Sequence, residues 1–255
     1  VHYAGVGCDM DRITELAAAH QLLVVEDAAQ GVNAFYKRRA LGTIGQLGAY
    51  SFHETKCYMC GEGGALCIND PTLVERAEII RDKGTNRQKF FRGEVDKYSW
   101  VDVGSSYVPS EISCAFLCGQ LELLGPIAAQ RGRIYQYYEC HLADLAANGV
   151  LQLPTVPDEC QTNYHMFYIV LASGDLRDRL LQFLQDQAIQ AVIHYVPLHS
   201  SPQGKKLGCE SVRLPVTEDI SGRLLRLPFF HEITEQEQAR IVKTIQEFAE
   251  QNKYG

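Results

Sequence analysis

The sequence lacks a long apolar run and a cluster of basic residues, and each absence removes a class of function. Its least polar stretch, NYHMFYIVLASG at 163–174, carries no charge but is too short to cross a bilayer as a helix, so no membrane span is expected. Lys and Arg number 24 against 31 Asp and Glu, a formal charge of −7, and the cations form no run. That balance argues against a general nucleic-acid-binding surface and for small molecules or proteins as partners. The one aromatic and basic stretch, RGRIYQYYE at 131–139, is spaced for a helix and reads as packing at a domain or subunit contact. Internal repeats and low-complexity tracts are absent. No secretory segment precedes the nine cysteines (8, 57, 60, 67, 114, 118, 140, 160, 209), an odd number, and reduced thiols in a cytosolic protein are expected. Cys57-Tyr58-Met59-Cys60 is a single CxxC; without a second CxxC or a spaced His pair, no metal is expected there. Cys114 and Cys118, four apart on a predicted helix, share a face and read as packing residues. A starting methionine is missing too: the chain opens on Val1-His2-Tyr3 as though inside a folded element, and a fragment is expected.

What is present fits a large core, since 255 residues with 46% apolar content fill one large domain or two smaller ones. In the first half, CDMDRITELAAAHQ has helical periodicity, and LLVVED, GAYSF (48–52) and GALCIN (64–69) have the character of buried strands. PTLVERAEIIRDKG (71–84) reads as a helix opened by Pro71 and closed by Gly84. This alternation is an α/β signature. Residues 110–148 read as two helices broken at Gly125-Pro126, and a domain boundary is expected there. Beyond it the pattern predicts a smaller α+β unit: strand HMFYIVL, helix DLRDRLLQFLQDQ, strand AVIHYV, a loop at 197–210 and a final helix TEQEQARIVKTIQEFAEQ.

Two strand ends carry the candidate chemistry. Asp27 ends the apolar run VVED, where open α/β sheets present ligand-binding groups; it is either a helix N-cap or an anion that keeps a heterocyclic nitrogen protonated. Lys56 follows GAYSF, whose carboxyl end is expected to open onto the same sheet edge. A lysine acts as a nucleophile only as the free amine, so the same residue on an open surface would be an ordinary solvated cation. Ser51 can donate a hydroxyl to a phosphate, and Gly61, Gly63 and Gly64 permit a tight turn and close approach to a ligand.

The order Glu-Asp-x-x-Gln, Ser-Phe-x-x-x-Lys and Gly-Glu-Gly-Gly resembles that of the DegT/DnrJ/EryC1/StrS sugar aminotransferases. The resemblance runs through VHYAG (1–5), VVEDAAQG (24–31), LGTIGQLGAYSFHETK (41–56), EGGAL (62–66) and HYVPLH (194–199). It implies an α/β, fold-type I pyridoxal-phosphate-dependent transferase (aspartate aminotransferase-like). Residues 1–124 would be the C-terminal part of its large cofactor-binding domain and 125–255 a small α+β C-terminal domain, with the N-terminal portion of the large domain missing. It further implies pyridoxal 5'-phosphate as cofactor, a nucleotide sugar and L-glutamate as substrates, and a homodimer with shared active sites. By the same resemblance Lys56 is the Schiff-base lysine and proton carrier, Asp27 the pyridinium partner, Gln30 a neighbour of the ring and Ser51 a phosphate ligand. Ser106 stands where many relatives have an asparagine reaching a neighbouring subunit's phosphate; its hydroxyl can still donate, with a shorter reach. His199 matches a histidine near the sugar pocket, and a purely structural histidine remains the other reading. A sugar dehydratase on the same fold is disfavoured, because those relatives lack the lysine.

Overall fold

The computed structural model describes residues 1–252. In chain order the elements run α1 (Met10–Ala19), β1 (Val25–Asp27), β2 (Phe35–Tyr36), β3 (Arg39–Ala40), β4 (Leu47–Ser51) and β5 (Gly64–Ile68). Then come α2 (Val74–Arg81), α3 (Arg87–Phe91), α4 (Glu111–Glu122), α5 (Leu124–Ala147), β6 (Leu151–Gln152), β7 (Cys160–Gln161) and β8 (Tyr168–Leu171). The chain ends through α6 (Gly174–Asp186), β9 (Val192–Ile193), α7 (Pro202–Lys206), α8 (Pro215–Arg223), β10 (Leu224–Arg226) and α9 (Glu235–Gln251). Two compact units emerge: Val1–Ile127 with Val156–His165, and Ala128–Thr155 with the chain from Met166 onward. No single helix among the described residues is long and apolar enough to cross a membrane.

The first unit is built on a sheet of order β1-β4-β5. β1 and β4 run parallel, with Val25 opposite Leu47 and Asp27 opposite Ala49, so their carboxyl ends share one edge as expected. β5 returns antiparallel to β4, pairing Ser51 with Gly64. Because side chains alternate along a strand, Glu26 and Asp27 point to opposite faces. On the Glu26 face the buried residues Met10, Ala28, Ala34, Tyr36 and Leu41 form a small core, against which Tyr50 and Cys160 pack. β7 joins this unit by pairing with β2, Tyr36 opposite Cys160, in a second sheet of order β3-β2-β7. α1 starts at Asp9, whose carboxylate accepts the Arg12 N–H, a side-chain cap that satisfies one of the helix's open donors.

The second unit carries a fully antiparallel sheet of order β6-β8-β10-β9. Ile169 and Leu225, directly paired, are wholly buried, and Phe167 just before β8 packs against Tyr135 and Tyr138 of α5 with ring centroids 4.9 and 5.1 Å apart. α6 and α9 bury Leu180, Leu184, Ile241, Val242, Ile245 and Phe248. α9 opens on a full capping box, Thr234 and Glu237 each satisfying the other's backbone N–H.

Several sequence expectations shift in position. The break in 110–148 falls at Leu123, and Gly125-Pro126 lie inside the first turn of α5. Pro126 is tolerated there because the first-turn N–H groups have no helical partner to lose. The strand expected over AVIHYV shrinks to Val192–Ile193, since β9 pairs only with Leu225 and Arg226 of β10. The expected loop at 197–210 contains α7, started by Ser201 as N-cap with Pro202 in its first turn.

Candidate active site

Asp27 sits at the end of β1, exposed, and its Oδ1 accepts the Ala29 N–H at 3.1 Å. No helix begins at Ala28-Ala29; the strand ends in a turn, so the N-cap reading of Asp27 gives way to a carboxylate closing that turn. Its neighbour Glu26 is 3% exposed and carries the structural load. Glu26 accepts hydrogen bonds from His2 Nε2 (2.8 Å) and the N–H groups of Gly42 (2.8 Å), Ile44 (2.6 Å) and Gly45 (2.6 Å). The Cys8 N–H points at His2 Nδ1 (3.2 Å), which places the ring proton on Nε2, where it is donated to Glu26. Burial opposes the charge of Glu26, but these four donors outweigh it and bring its carboxyl down to about 2. The loop 42–45 is thereby pinned beneath β1, and the edge bearing Asp27 is held from below.

Lys56 lies in the long connection between β4 and β5, tied across itself by Phe52 N–H to Gly63 O (2.8 Å), Glu54 N–H to Gly61 O (2.8 Å) and Cys60 N–H to Phe52 O (2.9 Å). Gly61 has φ +83°, open to glycine at no steric cost, and a Cβ on Gly64 would stand 2.8 Å from Tyr50 O. These glycines serve close approach of the chain to itself. Tyr58, 1% exposed, anchors the connection: its hydroxyl accepts from Asn33 Nδ2 (3.0 Å) and donates to Leu124 O (3.3 Å).

Lys56 lines one small cleft together with Ser51, Gln30, Ala29, Cys57 and His165. Gln30 is held from two sides. Its Oε1 accepts the Ala4 N–H (2.7 Å), and Asn163 Nδ2 donates to Gln30 O and Val32 O (2.8 Å each). Ser51 Oγ accepts weakly from the His53 N–H at 3.4 Å. Among the described residues, neither the Lys56 amine nor Gln30 Nε2 has a side-chain hydrogen-bond or ion-pair partner. Three of the expected groups, Gln30, Ser51 and Lys56, thus converge, and Asp27 ends the strand that leads into the Gln30 turn. Ser106 lies outside this cleft, exposed and bridged to Asp82. His199 belongs to the second unit, where its Nε2 contacts Glu218 Oε1 at 2.9 Å.

Sequence reasoning missed Asn163 and His165, which reach the cleft because β7 returns the chain to the first unit. A signal was there: two polar residues immediately ahead of the buried run MFYIVL. The donor set suits a phosphorylated pyridine aldehyde: an amine with no protein partner, a hydroxyl, an amide whose NH2 end is open, and a carboxylate at the adjoining strand end. Lys56, Ser51, Gln30 and Asp27 are the residues that would hold it.

An α/β unit with a lysine behind a parallel strand and a carboxylate at the neighbouring strand's end is compatible with the class of pyridoxal-phosphate-type transferases. Residues 1–246 match the DegT/DnrJ/EryC1/StrS aminotransferase family, and the chain belongs to it. Pyridoxal phosphate is the cofactor of that family. Among curated relatives, a pleiotropic regulatory protein of Geobacillus stearothermophilus is 32% identical over 250 residues, covering 97% of this chain and 64% of the relative. The dTDP-3-amino-3,4,6-trideoxy-alpha-D-glucose transaminase of Streptomyces venezuelae is 31% identical over 252 residues, covering 98% and 62%. The solved structure of S. venezuelae DesV in complex with a ketimine intermediate superimposes with a TM-score of 0.85 at 30% identity, covering 98% of this chain and 64% of that one. The chain therefore spans less than two thirds of the length of these relatives.

Proposed function

We propose that this chain carries the lysine-bearing part of a nucleotide-sugar aminotransferase active site. The observation that supports this most is the convergence of Lys56, Ser51 and Gln30 on one cleft, beside the parallel strand end at Asp27. In this reading Lys56 Nζ holds the cofactor in its resting state, then accepts and returns the proton moved during amino transfer. Asp27 provides the fixed negative charge that keeps the ring nitrogen protonated, Ser51 donates to the phosphate, and Gln30 presents its free NH2 end to the ring. Pyridoxal phosphate itself supplies the electron sink. Ser106 and His199 are assigned to phosphate and sugar contacts respectively, with Ser106 serving a second copy of the chain in a homodimer.

For the substrate, the stretches ERAEIIRDKGTNR (75–87), FFRGEVDKYSW (90–100) and DVGSSYVPSEI (102–112) resemble dTDP-4-amino-4,6-dideoxygalactose transaminases of enterobacterial common antigen synthesis. The reaction is then amino transfer from L-glutamate to dTDP-4-keto-6-deoxy-D-glucose, giving dTDP-4-amino-4,6-dideoxy-D-galactose, in the cytoplasm. The diphosphate gives the enzyme a remote handle whose binding energy orients the keto carbon.

Purified protein mixed with pyridoxal phosphate should turn yellow, lose that absorbance in Lys56→Ala, and transaminate the keto sugar with glutamate. A colourless, inactive preparation would overturn the catalytic reading and leave a non-catalytic fragment or binding module.

A further inference from the structure

Cys57 and His165 form a pair that the transamination reading leaves unused. Cys57 Sγ lies 3.3 Å from His165 Nδ1, across 108 residues of sequence. His165 is 8% exposed, while Cys57 is half-buried and faces the same cleft as Lys56. An imidazole within hydrogen-bond reach of a thiol can take its proton and leave the thiolate, which is the reactive form. Cys114, Cys118 and Cys140 are more exposed, and among the described residues none of them hydrogen-bonds to an imidazole.

We infer that Cys57 is a thiol-modification site that takes low-molecular-weight disulfides, with His165 as the base that activates it. The Cys57 thiol passes its proton to His165 Nδ1, and the thiolate attacks one sulfur of the incoming disulfide. A new S–S bond forms to Cys57 as the old one breaks, and the departing sulfur leaves as a thiolate that takes the proton back from His165. The incoming disulfide is the oxidant: one of its sulfurs is reduced and released as a thiol, while the Cys57 sulfur is oxidised into the new disulfide. Because Cys57 follows Lys56 directly and lines its cleft, the adduct fills the space next to the Lys56 amine. That consequence rests on the proposed function, whereas the reactivity of the thiol does not.

Oxidised glutathione is the probe. The chain is incubated with it at pH 7, quenched with acid, and each of the nine cysteines is followed by peptide mapping against time. Cys57 is expected to form its mixed disulfide at least about fivefold faster than Cys118, an advantage set by thiolate fraction and tempered by the lower nucleophilicity of a more acidic thiol. In His165→Gln, checked for native circular dichroism, the advantage should disappear. A Cys57 rate at or below that of Cys118 in the unmodified chain overturns the inference without any variant, and so does a folded His165→Gln that keeps the full rate. In the second arm, glutathione disulfide should abolish the cofactor absorbance of the wild-type protein and spare that of Cys57→Ser. If neither protein shows cofactor absorbance before treatment, the transaminase reading fails while the mapping result stands.

Discussion

The first unit is ordered by polar pegs, whereas the second is ordered by apolar packing. In the first, Glu26 gathers His2 and three backbone N–H groups, Asn69 Nδ2 donates to Gly42 O and Gly45 O, and Asn163 fixes the Gln30 turn. Its sheet leaves Val25 63% and Leu66 50% exposed, and α4 buries none of its residues. In the second unit the paired residues Ile169 and Leu225 disappear between helices rich in Leu, Ile and Phe. The difference teaches where precision is needed. Apolar burial is non-directional, so it makes a scaffold; hydrogen bonds are directional and fix a turn to within a fraction of an ångström, as positioning Gln30 beside Lys56 requires.

The sharpest way to break this comparison is Glu26→Ala. It strands His2 Nε2 and three backbone N–H donors at once, with an expected loss of about 3–5 kcal/mol in the first unit's urea-unfolding transition. A loss below about 1 kcal/mol would mean that the first unit does not depend on this peg. The apolar counterpart, Leu225→Ala, empties a fully buried site and should cost about 3 kcal/mol, read as faster amide exchange through β8 and β10.

Acid separates the two units by chemistry. Glu26 has a native pKa lowered from 4.5 to about 2, so its stabilisation is complete above pH 4.5 and is lost as pH falls through about 2, a span worth about 3 kcal/mol. His194, in the second unit, is lowered from 6.5 to about 4, by burial first and then by the Arg226 charge. The unfolded chain binds that proton first, so the His194 contribution is full above pH 6.5 and falls away between 6.5 and about 4. Stability monitored by amide exchange should therefore decline first in the second unit and only afterwards in the first. His194→Asn should flatten the earlier segment alone.

The contrast also sets what could be read without a structure. Helical periodicity placed α1, α6 and α9 well, because an amphipathic helix writes its core face into local spacing. Lys56, Ser51 and Asp27 stood out because each lies at or just beyond an apolar run, and Gln30 through the family resemblance, and the structure brings Gln30, Ser51 and Lys56 to one cleft. The role of Glu26 is invisible in its own run VVED, since nothing local says that a loop at 42–45 will fold under it. Asn163 and His165 escaped for the same reason: their placement depends on β7 pairing with β2, a contact spanning more than a hundred residues. The two-residue strands escaped because a pattern of period two needs at least four residues to declare itself.

The smallest effect is the most discriminating between the two kinds of region. Ile112 on α4 is 84% exposed, so replacing it by Ala removes almost no burial within the described chain. The expected change is within about 0.5 kcal/mol, and Ala's higher helix propensity offsets part of it. A buried isoleucine such as Ile169 should lose about 2–5 kcal/mol under the same substitution. If Ile112→Ala instead costs as much as Ile169→Ala, with the loss growing as protein concentration rises, then α4 is buried in solution by a second copy of the chain. In that case the first unit's small apolar core is supplemented by a larger one built between chains, and its polar pegs would only position the cleft without being its main source of stability.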